Sequence, residues 1–193
     1  LIEGPFARGK GSFMVSGRRT YIDVLTQPVI RAFNNGNSAG YYFYDLNTKA
    51  NYEINDKNKV YLSGYFGRDK FYANIKESFD NQSYKSDINF GWGNATGTAR
   101  WNHVVNPKLF SNTSFIYSFY ELAIKAEEEE NDQQLFSLKY GSGIEDYSIK
   151  QDFDWYANNK HKVKFGVLAT HHTFTPDALV ITDAVFGENL NRK

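Results

Sequence analysis

The chain has 193 residues, and Phe (16) and Tyr (14) supply much of its apolar content. Its 22 basic and 22 acidic residues balance, which argues against nucleic acid as a partner, and the absence of cysteine excludes disulfides and thiolate metal sites. No run of roughly 18 apolar residues is present, so the sequence contains no transmembrane helix. A membrane barrel is still compatible with the low hydropathy, because half of a barrel's positions face a polar lumen.

Short polar turns recur about every fifty residues, at positions 7–10, 56–58, 106–108 and 158–160. Between them we predict a strand that leads away from the turn, a long polar loop, and a strand that returns. Short turns at one rim and long loops at the other are typical of an outer-membrane β-barrel.

The first predicted strand covers residues 12–25, and the next covers residues 44–54. In the second strand, polar and apolar residues alternate strictly, which indicates a sheet with one wet face. A return strand begins at Val60, and the turn at 56–58 makes the two a hairpin.

The second predicted hairpin joins residues 87–105 to residues 109–122. Arg100 shares a polar face with its neighbours at every second position, but Ile88, Phe90 and Trp92 lie in the opposite phase. We therefore expect a β-bulge between Gly91 and Gly93, where glycine tolerates an extra residue. The third hairpin joins residues 135–156 to residues 162–174.

The sequence therefore predicts seven strands, six of them in three hairpins. The predicted fold is all-β and is part of an antiparallel transmembrane barrel. Strands of roughly 14–20 residues exceed the 9–11 that a bilayer requires, so they are expected to project beyond the membrane. Aromatic residues beside the short turns are predicted to form an interfacial girdle; they are Tyr52, Tyr61, Trp101, Phe110, Trp155 and Tyr156. The residues predicted to face the lumen are Asp45, Asn47, Lys49, Asn51, Glu53, Arg100, Asp152 and Asp154.

Two motifs contain side chains of the types that bind metal ions. The four glutamates at 127–130 offer oxygen ligands for Ca²⁺, but such a run more often marks a solvated loop. His171 and His172 are adjacent in a predicted strand, so their side chains point to opposite faces and do not chelate together. No spacing suggests a nucleophile with its base, so we predict neither an enzyme nor a cofactor.

Several segments together resemble TonB-dependent receptors of the Bacteroidetes type. Residues 3–5 and 12–23 look like an early barrel strand of that family, and the segments at 41–47, 58–65, 92–94 with 100–102, and 106–110 resemble the strands that follow. The resemblance implies a 22-stranded barrel closed by an N-terminal plug, which imports a scarce nutrient with energy relayed by TonB.

On this resemblance, residues 1–193 are expected to be part of the barrel domain, early strands after the plug, without the plug itself. The expected location is the bacterial outer membrane, crossed several times. The expected partners are outer-membrane lipid, the rest of the barrel and its plug, TonB through the parent receptor, and a surface lipoprotein. Two alternatives stay open: a small eight-stranded barrel with an adhesin or structural role, whose last strand is residues 178–186, and a soluble carbohydrate-binding β-sandwich.

Overall fold

A computed structural model describes residues 1–79, 82–176, 179–183 and 188–192. These residues form one α-helix, a 3-10 turn at Ala7–Gly9, and ten strands. The helix, α1 (Ile22–Phe33), lies between β2 and β3. The strands are β1 (Ile2–Phe6), β2 (Gly11–Arg19), β3 (Ser38–Asn55), β4 (Asn58–Phe79), β5 (Gln82–Asn106), β6 (Leu109–Glu130), β7 (Gln133–Asn158), β8 (His161–Thr175), β9 (Leu179–Asp183) and β10 (Glu188–Arg192).

All ten strands belong to one antiparallel sheet in which consecutive strands pair from β1 to β7. The edge of β7 is shared by β8 near the short turn and by β9 near the other end, and β10 pairs with β9. Within the described residues, β1 pairs only with β2 and β8 only with β7, so the sheet is open. The all-β prediction is confirmed, and the seven predicted strands correspond to β2 to β8.

The three short turns between long strands share one local structure. Asn55, Asn106 and Asn158 each accept a hydrogen bond, through the side-chain oxygen, from the backbone N–H two residues on, at 3.0, 2.9 and 2.9 Å. This is an Asx turn, in which the side chain imitates a backbone turn. The strand register also shifts just before each of these residues. The predicted recurrence of turns is therefore confirmed at these three places.

Continuous register defines two faces of the sheet. Face A contains Phe13, Ala50, Leu62, Ala99, Phe115, Ile149 and Ala169, which lie side by side across seven strands. Face B contains their sequence neighbours, such as Lys49, Ser63 and Lys150. We call the half of the sheet beside the Asx turns the short-turn half and the other half the far half.

In the short-turn half, face A is an apolar band and face B is polar. On β6, the band runs from Leu109 to Phe119, about 33 Å along the strand and about 25 Å at a strand tilt of 40°, which matches the apolar height of a membrane barrel. No described apolar side chain is buried. The sheet therefore lacks a hydrophobic core of its own, and its large apolar side chains lie on open surface.

The predicted bulge between Gly91 and Gly93 is wrong. Pairing of β5 with both β4 and β6 is continuous through these residues, so Phe90 and Trp92 lie on the same face as Arg100, which is face B. The polarity of the faces changes instead: in the far half, face B becomes aromatic and face A becomes charged, with Arg68, Lys70 and Glu121. The alternation of polar and apolar residues therefore reverses along β5 because the apolar face changes from face A to face B, and not because the register shifts.

The predicted strand at residues 12–25 is also wrong beyond Arg19. The chain turns there into α1, which lies over the far half of face A, where the Gln27 amide donates a hydrogen bond to the hydroxyl of Tyr72. The helix ends at Phe33. The backbone N–H of the next residue, Asn34, bonds to the Ile30 carbonyl, and Gly36 follows with a left-handed φ of 86°. This left-handed glycine allows the chain to reverse into β3. No helix in the described part of the chain has the length and hydropathy to cross a membrane.

The long loops expected in the far half are largely strand. The acidic run at residues 127–130 is the end of β6, and only Asn131 and Asp132, both with left-handed φ, connect β6 to β7. The strands of 18 to 26 residues from β3 to β7 are longer than predicted, because they include the residues that the sequence pattern had assigned to loops. Of the proposed eighth strand at residues 178–186, residues 179–183 form β9 and the others lie outside the described residues.

Candidate functional site

All eight residues predicted to face a lumen lie on face B. Five come from alternate positions of β3, one from β5 and two from β7, and the register brings strands of this face together in rows. One row contains Asn51, Tyr61 and Arg100, and the next contains Glu53, Lys59 and Asp152. The structure thus unites the set on one surface, while its role in lining a lumen stays a prediction.

On β3, these polar residues are held by neighbours on the same face. Asp45 is 8% exposed and accepts a hydrogen bond from Arg18 Nε at 2.5 Å, and the Asn47 amide approaches its other carboxylate oxygen at 3.5 Å. Asn51 donates to the Ser12 hydroxyl at 2.5 Å. A carboxylate this buried requires a charged partner, and Arg18 supplies it from the adjacent strand.

Further along the face, cations and carboxylates alternate. The guanidinium of Arg100 lies 4.9 Å from the ring centroid of Tyr61, and Glu53 pairs with Lys59 at 3.2 Å. On β7, Asp152 is 2.9 Å from Lys150, and Asp154 is 3.0 and 3.3 Å from the ammonium groups of two lysines of β8, Lys162 and Lys164. This surface has many polar groups of both signs and suits contact with water or a polar solute.

The girdle residues divide between the two faces. Register places Tyr52, Trp101 and Trp155 on face A, but it places Tyr61, Phe110 and Tyr156 on face B. Only the three residues on face A share the apolar side of the sheet, so an interfacial girdle on that side stays a prediction for these three and does not include the other three. Proximity to a turn could not separate the two groups, because alternate strand residues point to opposite faces.

An aromatic cluster on face B, in the far half, was not recognised from the sequence as a site. The rings of Phe90 and Trp92 have centroids 5.0 Å apart, and Tyr41 stacks on Trp92 at 6.4 Å and donates a hydrogen bond to Asp69. Leu122 and Ile124 extend the surface onto β6. The sequence signal for this cluster is the apolar run Ile88, Phe90 and Trp92, whose phase predicts a bulge rather than a site.

The acidic run does not form one cluster. Glu127 and Glu129 lie on face A, where Glu127 is 2.6 Å from Lys125 and Glu129 is 3.8 Å from Lys85. Glu130, on face B, accepts a hydrogen bond from the Tyr84 hydroxyl at 2.8 Å. Among the described residues, no group of three or more acidic or histidine side chains is placed to hold a metal ion.

At the tip of the β6–β7 hairpin, Lys85 donates a hydrogen bond to the side chain of Asp132. This hydrogen bond and the accompanying charge attraction raise the pKa of Lys85 and lower the pKa of Asp132. Both groups therefore stay charged at neutral pH. The pair joins the start of β5 to the turn after β6.

The sequence matches no family model and no curated protein, but the fold has solved counterparts. The chain aligns over 94% of its length, with a TM-score of 0.58 and 9% identity, to 29% of the ferric yersiniabactin uptake receptor FyuA from Yersinia pestis. The ferric citrate transporter FecA in the unliganded form aligns over the same shares at a TM-score of 0.47 and 7% identity. The sheet thus shares the fold of part of FyuA, and the chain spans less than a third of the length of these proteins.

Proposed function

We propose that this chain is part of the barrel wall of a TonB-dependent receptor in the bacterial outer membrane, which imports a scarce nutrient such as a siderophore or a glycan. The sequence resemblance and the fold shared with FyuA support the same class of protein. Residues 1–193 are assigned on this proposal to the barrel domain, and the plug and the remaining strands to the rest of the receptor.

The apolar band of face A is the observation that carries the proposal. It extends across seven strands, it has about the height of a membrane's hydrocarbon region, and none of its described residues is buried. In water, an apolar surface of this extent would drive association. Contact with lipid removes the apolar side chains of face A from water, and face B is then directed toward the lumen.

On this proposal, the eight predicted residues of face B line the lumen beside the plug. The aromatic cluster of Tyr41, Phe90 and Trp92 then lies on the same inner surface, closer to the outer rim. Aromatic faces and nearby polar groups are typical of surfaces that bind small molecules. Solute contact is therefore assigned to the far half of face B, together with plug segments and with any surface lipoprotein that covers the rim.

Neither alternative gains support from the fold. A sandwich requires two sheets, whereas the described residues form one. A complete eight-stranded barrel requires its first and last strands to pair, and β1 has no such partner in the described part of the chain.

The test is deletion of the complete gene in the source bacterium, followed by growth on limiting iron chelates, cobalamin and glycans supplied one at a time. We expect the deletion to remove growth on one nutrient, plasmid-borne wild type to restore it, and loss of TonB to reproduce the defect. A matched pair of variants refines the test: Trp92→Ala on face B is expected to reduce uptake at least tenfold, and Trp101→Ala on face A less than twofold. Normal growth of the deletion strain on every nutrient, with the protein confirmed in the outer membrane, would contradict the proposal.

A further inference from the structure

A cationic cavity lies on face A just above the apolar band. It has a volume of about 550 Å³, and its charged lining residues are Arg68, Lys70 and Lys125, with no carboxylate among its described lining residues. Tyr42 and Tyr44 form one wall, and glycine and alanine residues on β5 and β6 leave the floor open. We infer that this cavity binds the phosphate of an anionic lipid in the outer leaflet of the membrane. The inference rests on the proposed membrane placement.

The position of the cavity favours a lipid ligand. On β4, the last apolar residue of face A is Phe66, and the next two face A residues are Arg68 and Lys70. This change from apolar to cationic marks the level at which hydrocarbon gives way to headgroups. Tyrosine is enriched at that level, and Lys and Arg side chains clustered at a membrane surface attract anionic headgroups.

The charges around the cavity leave a net positive site. One guanidinium nitrogen of Arg68 is 2.9 Å from a carboxylate oxygen of Glu121, and the ammonium nitrogen of Lys125 is 2.6 Å from a carboxylate oxygen of Glu127. Glu127 is also 3.8 Å from Lys139. Lys70 has no ion pair with any described residue. A phosphate oxygen therefore has one uncompensated ammonium group available, together with the remaining guanidinium donors of Arg68.

A shallow apolar trough lies below the cavity on the same face. Its floor contains small residues, including Gly64, Gly97 and Ala99, and Phe115 and Tyr147 rise beside it. Arg68 is four positions along β4 from Gly64, which is about 13 Å along the strand and about 10 Å in height at a strand tilt of 40°. An acyl chain in the trough would thus leave its phosphate at the level of the cavity.

Helix α1 supplies an independent indication of lipid at this level. Its inward side is polar, with Asp23 buried and paired to Arg19 at 3.0 Å. Its outward side is apolar: Leu25 is 74% exposed and Phe33 is 84% exposed. An apolar stripe directed away from the protein is the arrangement of an interfacial helix that lies in the headgroup region.

The test uses the complete receptor, purified in a neutral detergent and titrated with phosphatidylglycerol, with phosphatidylcholine as the uncharged comparison. Bound lipid is counted by native mass spectrometry. We expect the wild type to retain phosphatidylglycerol in preference to phosphatidylcholine, and Arg68→Gln with Lys70→Gln to weaken that binding at least tenfold. The control is Lys150→Gln on face B, which lines neither the cavity nor the trough and is expected to change binding less than twofold. Gly97→Leu, which fills the trough, is expected to weaken binding without the loss of a charge.

Equal retention by the wild type and the double variant would overturn the inference. Inorganic phosphate provides a second decisive arm: if 10 mM phosphate displaced the lipid completely and bound equally well alone, the ligand would be a free anion and the lipid assignment would be wrong. A spin label at Leu62 distinguishes failure of the lipid site from failure of the membrane placement. If the label is accessible to oxygen but the receptor retains no lipid, only the lipid site is contradicted.

Discussion

At the scale of single residues, two glycines in similar strands differ in the space around them. A methyl group on Gly166 of β8 would overlap the backbone carbonyl oxygen of Gln151 on the paired strand, whereas a methyl group on Gly97 of β5 would meet no atom within 4 Å. Neither residue has a left-handed φ. The two glycines therefore differ in the space that is available for a methyl group. Comparing alanine variants at the two positions measures how much the close approach between strands contributes to stability.

We predict that Gly166→Ala destabilises the receptor by about 1–3 kcal/mol, the range for overpacking of a tight site. Gly97→Ala is expected to be neutral or to stabilise by up to about 1 kcal/mol, because alanine restricts the unfolded chain. Urea unfolding of the complete receptor in lipid vesicles, followed by tryptophan fluorescence, provides the comparison. Equal stability of the two variants would mean that β8 shifts freely on β7 and that the close approach has no energetic weight.

At the scale of elements, the three Asx turns connect the strand pairs of the short-turn half. In each, the asparagine side-chain oxygen accepts a backbone N–H, and aspartate has an oxygen in the same position. We predict that Asn106→Ala destabilises the β5–β6 hairpin by about 1 kcal/mol, the typical net value of one hydrogen bond, and that Asn106→Asp retains most of the stability. The measurement is the urea midpoint of each variant in vesicles. If alanine and aspartate lowered it equally, the side-chain hydrogen bond would not be the stabilising feature.

These turns and the strands next to them were predictable from the sequence, because their signals are local. Alternation between Asp45 and Glu53 depends only on one wet and one apolar face, and the short polar turns have a direct mechanism. The pairing of candidate residues into rows was not predictable in detail, since it depends on register between strands that are far apart in the sequence.

The errors have physical causes as well. At Phe90 and Trp92, the prediction of a bulge depends on a uniform environment along the strand, in which a change of polarity indicates a change of register. At α1, Ile22 and Val24 are β-branched residues that are as compatible with a strand as with a helix, and the predicted strand at residues 12–25 therefore included them. What distinguishes the helix is the contact of Asp23 with Arg19 and of Gln27 with Tyr72, which only the folded chain displays.

At the scale of the whole molecule, the two faces exchange polarity at about one height on the sheet. Below it, face A is apolar and face B polar; above it, Arg68 and Lys70 occupy face A, and Phe71 lies on face B. A soluble sheet would keep one buried face along its whole length. The exchange is expected where a barrel wall leaves the membrane, because the outer surface then meets water and the inner surface meets the plug or a solute.

Strand β4 alone allows this exchange to be measured. The chain has no cysteine, so spin labels can be introduced singly at Leu62, Ser63 and Lys70 in the complete receptor, after removal of any cysteine elsewhere. In vesicles, we predict that the label at Leu62 collides with oxygen at least five times more often, relative to a water-soluble nickel chelate, than the labels at Ser63 and Lys70. Leu62 and Ser63 share a height but not a face, whereas Leu62 and Lys70 share a face but not a height. If Leu62 and Lys70 behaved alike, face A would lie in one environment throughout, and the membrane boundary inferred from the sheet would be wrong.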